Sequence, residues 1–118
     1  MKETLMKRVY ASMIEQDLES YRALFNEPVE GDDIIDYWKD AWAFYGALDE
    51  CQKEIFFSIL KTVMTDTVST VFGALDGTVG IDDEDWNFQV SVNGIDMTGE
   101  LQDLFLEHVE EMEAAGGL

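Results

Sequence analysis

From Met6 to Leu75 the apolar residues of this chain recur at steps of three and four. From Trp86 to Val92 they alternate with polar ones, and beyond Thr98 the longer step returns. A period near 3.6 gathers apolar side chains on one stripe of a helix; a period of two gathers them on one face of a strand. The switch therefore restricts the chain to helices, then a small sheet element, then a helix. The expected fold is α+β and mostly helical: three N-terminal helices, one β-hairpin and one C-terminal helix, in the order α-α-α-β-β-α. At 118 residues it should form a single acidic domain, residues 1–118, with a frayed tail over 113–118.

Met6, Val9, Tyr10, Met13, Ile14, Leu18, Tyr21, Leu24 and Phe25 predict a first helix over about 2–25, with Gln16 as the place where it would break. Asn26 to Gly31 holds Pro28, the only proline, and reads as a loop. Asp32 or Asp33 is expected to cap a second helix, whose apolar face is Ile34, Ile35, Trp38, Ala41, Trp42, Tyr45 and Leu48. Asp49-Glu50-Cys51-Gln52 has the form of a capping box and predicts a third helix from about 50 to 75.

One face of that third helix carries Ile55, Phe56, Ile59, Leu60, Val63, Met64, Val68, Val71, Phe72 and Leu75. The opposite face, Ser58, Thr62, Thr65, Ser69 and Thr70, is polar without charge. In so charged a chain this predicts a central helix covered on several sides, the alternative being a hydroxyl face that meets a partner. Gly77 and Gly80 end the helical pattern. Trp86, Phe88, Val90 and Val92 then predict a half-buried strand, and Asn93-Gly94 a tight turn into a short return strand, Ile95 to Met97. An isolated hairpin is marginal in water, so Trp86, Phe88 and Val90 should pack it onto the helices. Thr98 is expected to cap the last helix, with Leu101, Leu104, Phe105, Val109 and Met112 facing the core.

Charge bounds the function. The net charge is -19, and no Lys or Arg follows Lys61; residues 1–61 carry -6 and residues 62–118 carry -13. Such a surface attracts cationic partners and disfavours direct nucleic-acid binding, which needs clustered Lys and Arg. A single cysteine, Cys51, excludes an internal disulfide. With no secretory pattern at the N-terminus and no run of about 18 uninterrupted apolar residues, the expectation is a cytoplasmic protein without a membrane segment.

No motif names a reaction. The one histidine, His108, has no accompanying nucleophile motif and reads as a boundary residue of the last helix. Cys51 falls in the first turn of the third helix, but Asp49, Glu50 and Glu54 crowd it, which argues for an inert thiol. Asp76 to Asp85 departs from the EF-hand pattern, since its ligands do not alternate and no Gly occupies the sixth position from Asp82. A non-enzymatic protein with no cofactor and no metal site is the expectation. The candidate partner-binding residues are Asp82, Asp83, Glu84, Asp85 and Trp86 in one loop, with Glu100, Asp103, Glu107, Glu110 and Glu111 along the last helix.

The stretch Asp66-Thr67-Val68-Ser69-Thr70-Val71-Phe72-Gly73-Ala74-Leu75-Asp76-Gly77, with Gly99-Glu100-Leu101-Gln102-Asp103-Leu104-Phe105, resembles small acidic bacterial proteins in the style of toxin-immunity proteins. The resemblance implies a cytoplasmic inhibitor that docks a basic partner such as a toxin or nuclease domain, and it assigns no residue a role. Two alternatives stand beside it: a DNA-mimic inhibitor of a nucleic-acid enzyme, and an acidic domain whose charge serves solubility or salt adaptation. A small hydrolase or metal-dependent enzyme using clustered acids is a third, which a buried convergent carboxylate pair or a bound metal would favour.

Overall fold

The capping box at Asp49 is present and starts the longest element. In the computed structural model, which describes residues 1–82, 84 and 86–116, Asp49 Oδ1 accepts from the Gln52 N–H at 2.8 Å. Gln52 Oε1 in turn accepts from the Asp49 N–H at 2.9 Å. Two orphan donors of the first turn are thereby satisfied, and the helix they begin runs from Glu50 to Asp76. Gly77 closes it in the left-handed region, at φ 81°, where a side chain would be strained.

Among the described residues, four helices and one hairpin follow the expected order. Helix α1 consists of three consecutive segments, Lys2–Val9, Tyr10–Gln16 and Asp17–Asn26. Helix α2 is Asp36–Gly46, α3 is Glu50–Asp76 and α4 is Leu101–Ala114. Strands β1 (Ser91–Val92) and β2 (Ile95–Asp96) pair antiparallel, with Val92 opposite Ile95. Asn93 and Gly94 both take positive φ, 51° and 80°, as the two-residue turn demands.

Helix α1 does not break at Gln16. Its middle segment, Tyr10–Gln16, is a π-helix, and the backbone stays right-handed on both sides of it. The reason lies in the spacing: Met6, Tyr10, Ile14 and Leu18 stand at strict four-residue steps. In an α-helix such a series drifts by about 40° per step. A π turn, bonded i to i+5, holds more residues and cancels that drift. Met6, Tyr10 and Ile14 are accordingly buried on one line, while Met13 and Tyr21 turn outward.

Two apolar clusters hold the molecule together. The main core joins Met6, Tyr10 and Ile14 of α1 to Met97 and to Leu101, Phe105 and Val109 of α4, with Met64, Val68, Phe72 and Leu75 of α3 packed against it. The second cluster is aromatic: Phe25 of α1 meets Trp38 and Tyr45 of α2 and Phe56 and Phe57 of α3, at ring-centroid distances of 5.0–6.4 Å. Tilted and edge-on contacts of this kind suit the ring quadrupoles. Two polar tips in and beside it find partners: the Tyr45 hydroxyl donates to Asn26 Oδ1 at 2.7 Å, and Nε1 of Trp42, which packs on Trp38, donates to Leu24 O at 2.8 Å. Arg22 lies over the Phe57 ring, 4.4 Å from its centroid, and reaches both carboxylate oxygens of Glu54 at 3.1 and 3.2 Å.

Several sequence expectations are corrected. Residues 86–90 are not a strand; only Ser91–Val92 pairs as one, although the Met97 N–H still donates to Val90 O at 2.9 Å. Val90 packs on the core, but Trp86 does not and is 57% exposed. Neither Asp32 nor Asp33 caps α2: the chain stays extended through Ile35 (ψ 151°), which becomes the N-cap, and isoleucine has no side-chain oxygen to accept from the first turn. Thr98 does not cap α4. Its Oγ1 is occupied in accepting from the Val90 N–H at 3.0 Å, and the helix begins after Glu100.

Helix α3 is not covered on several sides. Among its residues only Phe57, Ser69 and Gly73 are buried, and Ile55, Ile59, Val63 and Val71 are each more than half exposed. The neighbouring helices take one flank of its apolar surface and leave the other open. By length and composition α3 could also cross a membrane, with a mean hydropathy of 1.3 over an 18-residue window of which 11% is buried. The whole molecule shares this openness, measuring 47 × 35 × 26 Å with a Cα radius of gyration of 17.7 Å, against about 13.5 Å for a compact domain of this length. Its accessible surface is 8204 Å², whereas a compact monomer of 13.4 kDa would expose about 6,500 Å².

Candidate functional site

The acidic loop is anchored where α3 ends and α4 begins. Gly73 O accepts from the N–H groups of Thr78 and Val79, at 2.9 and 3.1 Å, and folds the chain back at once. Thr78 Oγ1 donates to Gln102 Oε1 at 3.1 Å, and Gln102 Nε2 donates to Ser69 O at 3.1 Å, so one side chain stitches α4 to α3. The Gln102 amide packs hard against Gly73, where any Cβ would meet Gln102 Nε2 at 2.7 Å.

The loop then turns at Ile81 to Glu84, where the Glu84 N–H donates to Ile81 O at 3.2 Å and Asp82 takes φ 53°. An aspartate tolerates this region better than most residues. Asp82 and Glu84 are exposed. Trp86 lines a cavity of about 410 Å³ with Ala74, Gly77, Val79, Gly80, Ile81, Glu84 and Asn87. A large aromatic is thus presented to solvent beside the Glu84 side chain. Asp83 and Asp85, the other two candidate residues of the loop, lie outside the described residues.

On α4 the expected face is exposed, with Glu100, Asp103, Glu107, Glu110 and Glu111 all at the surface. Two of the five have partners. Glu100 receives a hydrogen bond from the Lys2 ammonium, which holds the Lys2 pKa above its ordinary 10.5. Glu111 lies 3.6 Å from His108 Nδ1. No basic residue stands in the last turn, so Glu110, Glu111 and Glu113 oppose the helix dipole. The N-terminus of α4 is better served, because Asp76 accepts from the N–H groups of Leu101 and Gln102. Asp76 is therefore a structural cap drawn from another helix, not part of the exposed acidic surface.

The remaining chemistry-bearing residues are quickly placed. His108 is mostly buried and meets Tyr10 edge-on at 5.2 Å, and its Nδ1 has no hydrogen-bond partner among the described residues. Cys51 is exposed in the first turn of α3. Near the hairpin, the Thr98 backbone N–H donates to Asp96 Oδ1 at 3.0 Å, and this bond, with a weaker contribution from the Thr98 hydroxyl, holds the Asp96 carboxyl below its usual pKa. Among the described residues no three His, Cys, Asp or Glu side chains converge closely enough to hold a metal ion.

Sequence reasoning missed an apolar cleft of about 560 Å³ on the open flank of α3, lined by residues of α1, α2 and α3. A signal for it was present. Helices α2 and α3 both carry apolar faces wider than a single neighbour can cover. Compared with known proteins, the chain matches no family model, and no curated protein and no solved structure is significantly similar to it.

Proposed function

We propose that this protein is a non-enzymatic, immunity-like binding protein of the bacterial cytoplasm, which inhibits a basic partner by covering it. The observation that carries the reading is Trp86, 57% exposed in a cavity that it lines together with Glu84, in a loop that also exposes Asp82. Exposing a tryptophan forgoes its burial, and protein interfaces concentrate their energy in such aromatic anchors. The carboxylates around it, with Glu100, Asp103, Glu107, Glu110 and Glu111, would steer a cationic surface toward the anchor and raise its association rate. The occupied cationic site could then no longer reach its own substrate.

The test uses the purified chain as bait against lysate of its own host, followed by reconstitution of any retained protein with the wild type, Trp86→Ala and Asp82→Asn/Glu84→Gln. A stoichiometric complex with a basic protein, weakened at least about tenfold by Trp86→Ala and sensitive to salt, supports the reading. Failure to retain any basic protein at low ionic strength overturns it. Equal binding by the wild type and all variants would remove the loop as the site.

A further inference from the structure

A second surface lies away from the acidic loop. Tyr21 and Phe25 of α1, Tyr37, Trp38 and Phe44 of α2, and Phe56, Leu60 and Val63 of α3 form the walls of the 560 Å³ cleft. Val63 also lines a shallower depression with Ile55 and Ile59, so the cleft and the outer ridge of α3 make one continuous surface. Tyr37 and Phe44 are 65% and 59% exposed, and Ile55, Ile59 and Val63 lie between 54% and 56%. With Tyr21, these exposed side chains present roughly 600–700 Å², above the few hundred Å² of apolar patch that a soluble monomer ordinarily shows. That is close to the roughly 800 Å² per partner of a standard interface. The surplus surface of the whole molecule, about 1,700 Å² over a compact monomer, leaves room for such a contact.

Charge selects the occupant. The cleft lining holds one charged residue, Asp40, and next to Tyr21 the adjoining depression holds Asp17. A second copy would bring another -19 against this one, whereas a cationic segment would be drawn in. The shape is a trough between helices, walled by α3 from about Ile55 to Met64, or about three helical turns. We propose that this trough is the docking site for an amphipathic helix of a partner protein, with large apolar residues at i, i+3, i+4 and i+7 and Lys or Arg along its flanks. The apolar stripe replaces the missing neighbour of α3, and the basic flanks meet Asp17 and Asp40. The site is separate from the Trp86 loop and shares with the reading above only the sign of the partner's charge.

The test is fluorescence anisotropy of the intact protein with a labelled synthetic peptide of about 18 residues built from Leu, Phe and Lys on that pattern. A scrambled peptide of the same composition, which keeps the charge and loses the apolar face, is the comparison. The patterned peptide should bind at least about tenfold tighter than the scrambled one, and Val63→Asp, Ile59→Glu and Phe44→Lys should each remove that advantage. These positions are already in water, and circular dichroism checks that the variants stay folded. Trp86→Ala should leave peptide binding unchanged, which separates this site from the loop. Equal binding of the two peptides, or no effect of all three variants, overturns the proposal. So does a wild-type dimer that Val63→Asp dissociates, or flotation with phosphatidylglycerol vesicles that Val63→Asp abolishes.

Discussion

Asp76 and Gln102 stand 26 positions apart, yet the carboxylate of one caps the backbone of the other: Asp76 Oδ2 accepts from the Gln102 N–H at 2.7 Å, and Oδ1 from the Leu101 N–H at 3.0 Å. The last residue of α3 thereby satisfies the first turn of α4, and the negative charge sits at the positive end of that helix's dipole. Asp76→Ala should cost about 1–2 kcal/mol, seen as a fall in Tm of several degrees by calorimetry. Glu84→Ala, which removes an exposed carboxylate of the loop at a position without positive φ, serves as the control. Equal Tm values for the two variants would show that the cap carries no stability.

Gly73 and Gly46 should respond to alanine in opposite directions. At Gly73 the new methyl would lie 2.6 Å from Val79 Cγ2 and 2.7 Å from Gln102 Nε2, inside contact distance. Gln102 cannot retreat freely, since its amide holds both Ser69 and Thr78. The clash outweighs the gain of about 1 kcal/mol in helix propensity, so Gly73→Ala should lose about 1–3 kcal/mol. At Gly46, in the last turn of α2, nothing lies within 4 Å and φ is not positive, so Gly46→Ala should gain about 0.5–1 kcal/mol. Urea unfolding of both variants checks the sign.

Two tryptophans should separate stability from binding. Trp42→Phe deletes the bond from Nε1 to Leu24 O and leaves a part-buried carbonyl without that donor, at a cost of about 1–2 kcal/mol. Trp86→Phe should change stability by less than about 0.5 kcal/mol, because its ring is largely in water. Chemical denaturation of the two variants side by side decides, and a larger loss at Trp86 would return that residue to a packing role.

Asp96 gives a pH dependence of known sign. Its carboxyl is held below the usual 3.8 by the Thr98 backbone N–H, so the bond stabilises the folded state fully above that value. The contribution is lost as pH falls through the depressed folded-state pKa. Asp96→Asn should therefore lower the urea midpoint near neutral pH, and the gap to wild type should close in acid. A gap independent of pH would mean that the charge on Asp96 is immaterial.

Glu110→Lys distinguishes a docking surface from a solvated one. Glu107 and Glu113 stand three residues away on either side, and the position lies toward the C-terminal end of α4. Replacing two like-charge neighbours with two attractive ones should stabilise the protein by about 0.5–1 kcal/mol in low salt. If the acidic face docks a cation, the same change should weaken partner binding. Higher Tm with undiminished binding would leave solubility as the role of these acids.

Where chemistry is local, the sequence was legible. The capping box at Asp49 and Gln52 and the Asn93-Gly94 turn need only neighbouring residues, and both formed as expected. The cap of α4 was not legible, because its acceptor comes from 25 positions upstream and Thr98 offered a plausible local substitute. Residues 86–90 alternate as a strand should, but their partners end at Met97, and alternation cannot supply a ladder where the opposing chain turns into a helix. Of the candidate site, exposure of the α4 acids followed from their place off the apolar stripe. The cleft was signalled only by the width of the α2 and α3 apolar faces, since a period shows that a helix has an apolar face but not whether a neighbour lies on it.

The π segment of α1 has a consequence for chain length. A π-helix of this size is an α-helix holding one residue more than its two flanks require. Elsewhere in α1 a single deletion would turn everything beyond it by about 100°, swinging Phe25 away from Phe56 and Phe57 or Met6 away from the main core. Between Tyr10 and Gln16, removal of one outward residue such as Ser12 can be absorbed by reverting to regular helix, with both clusters still in phase. Helix α1 thus carries its own slack, stored in the span that gears the aromatic half of the molecule to the half built on α4.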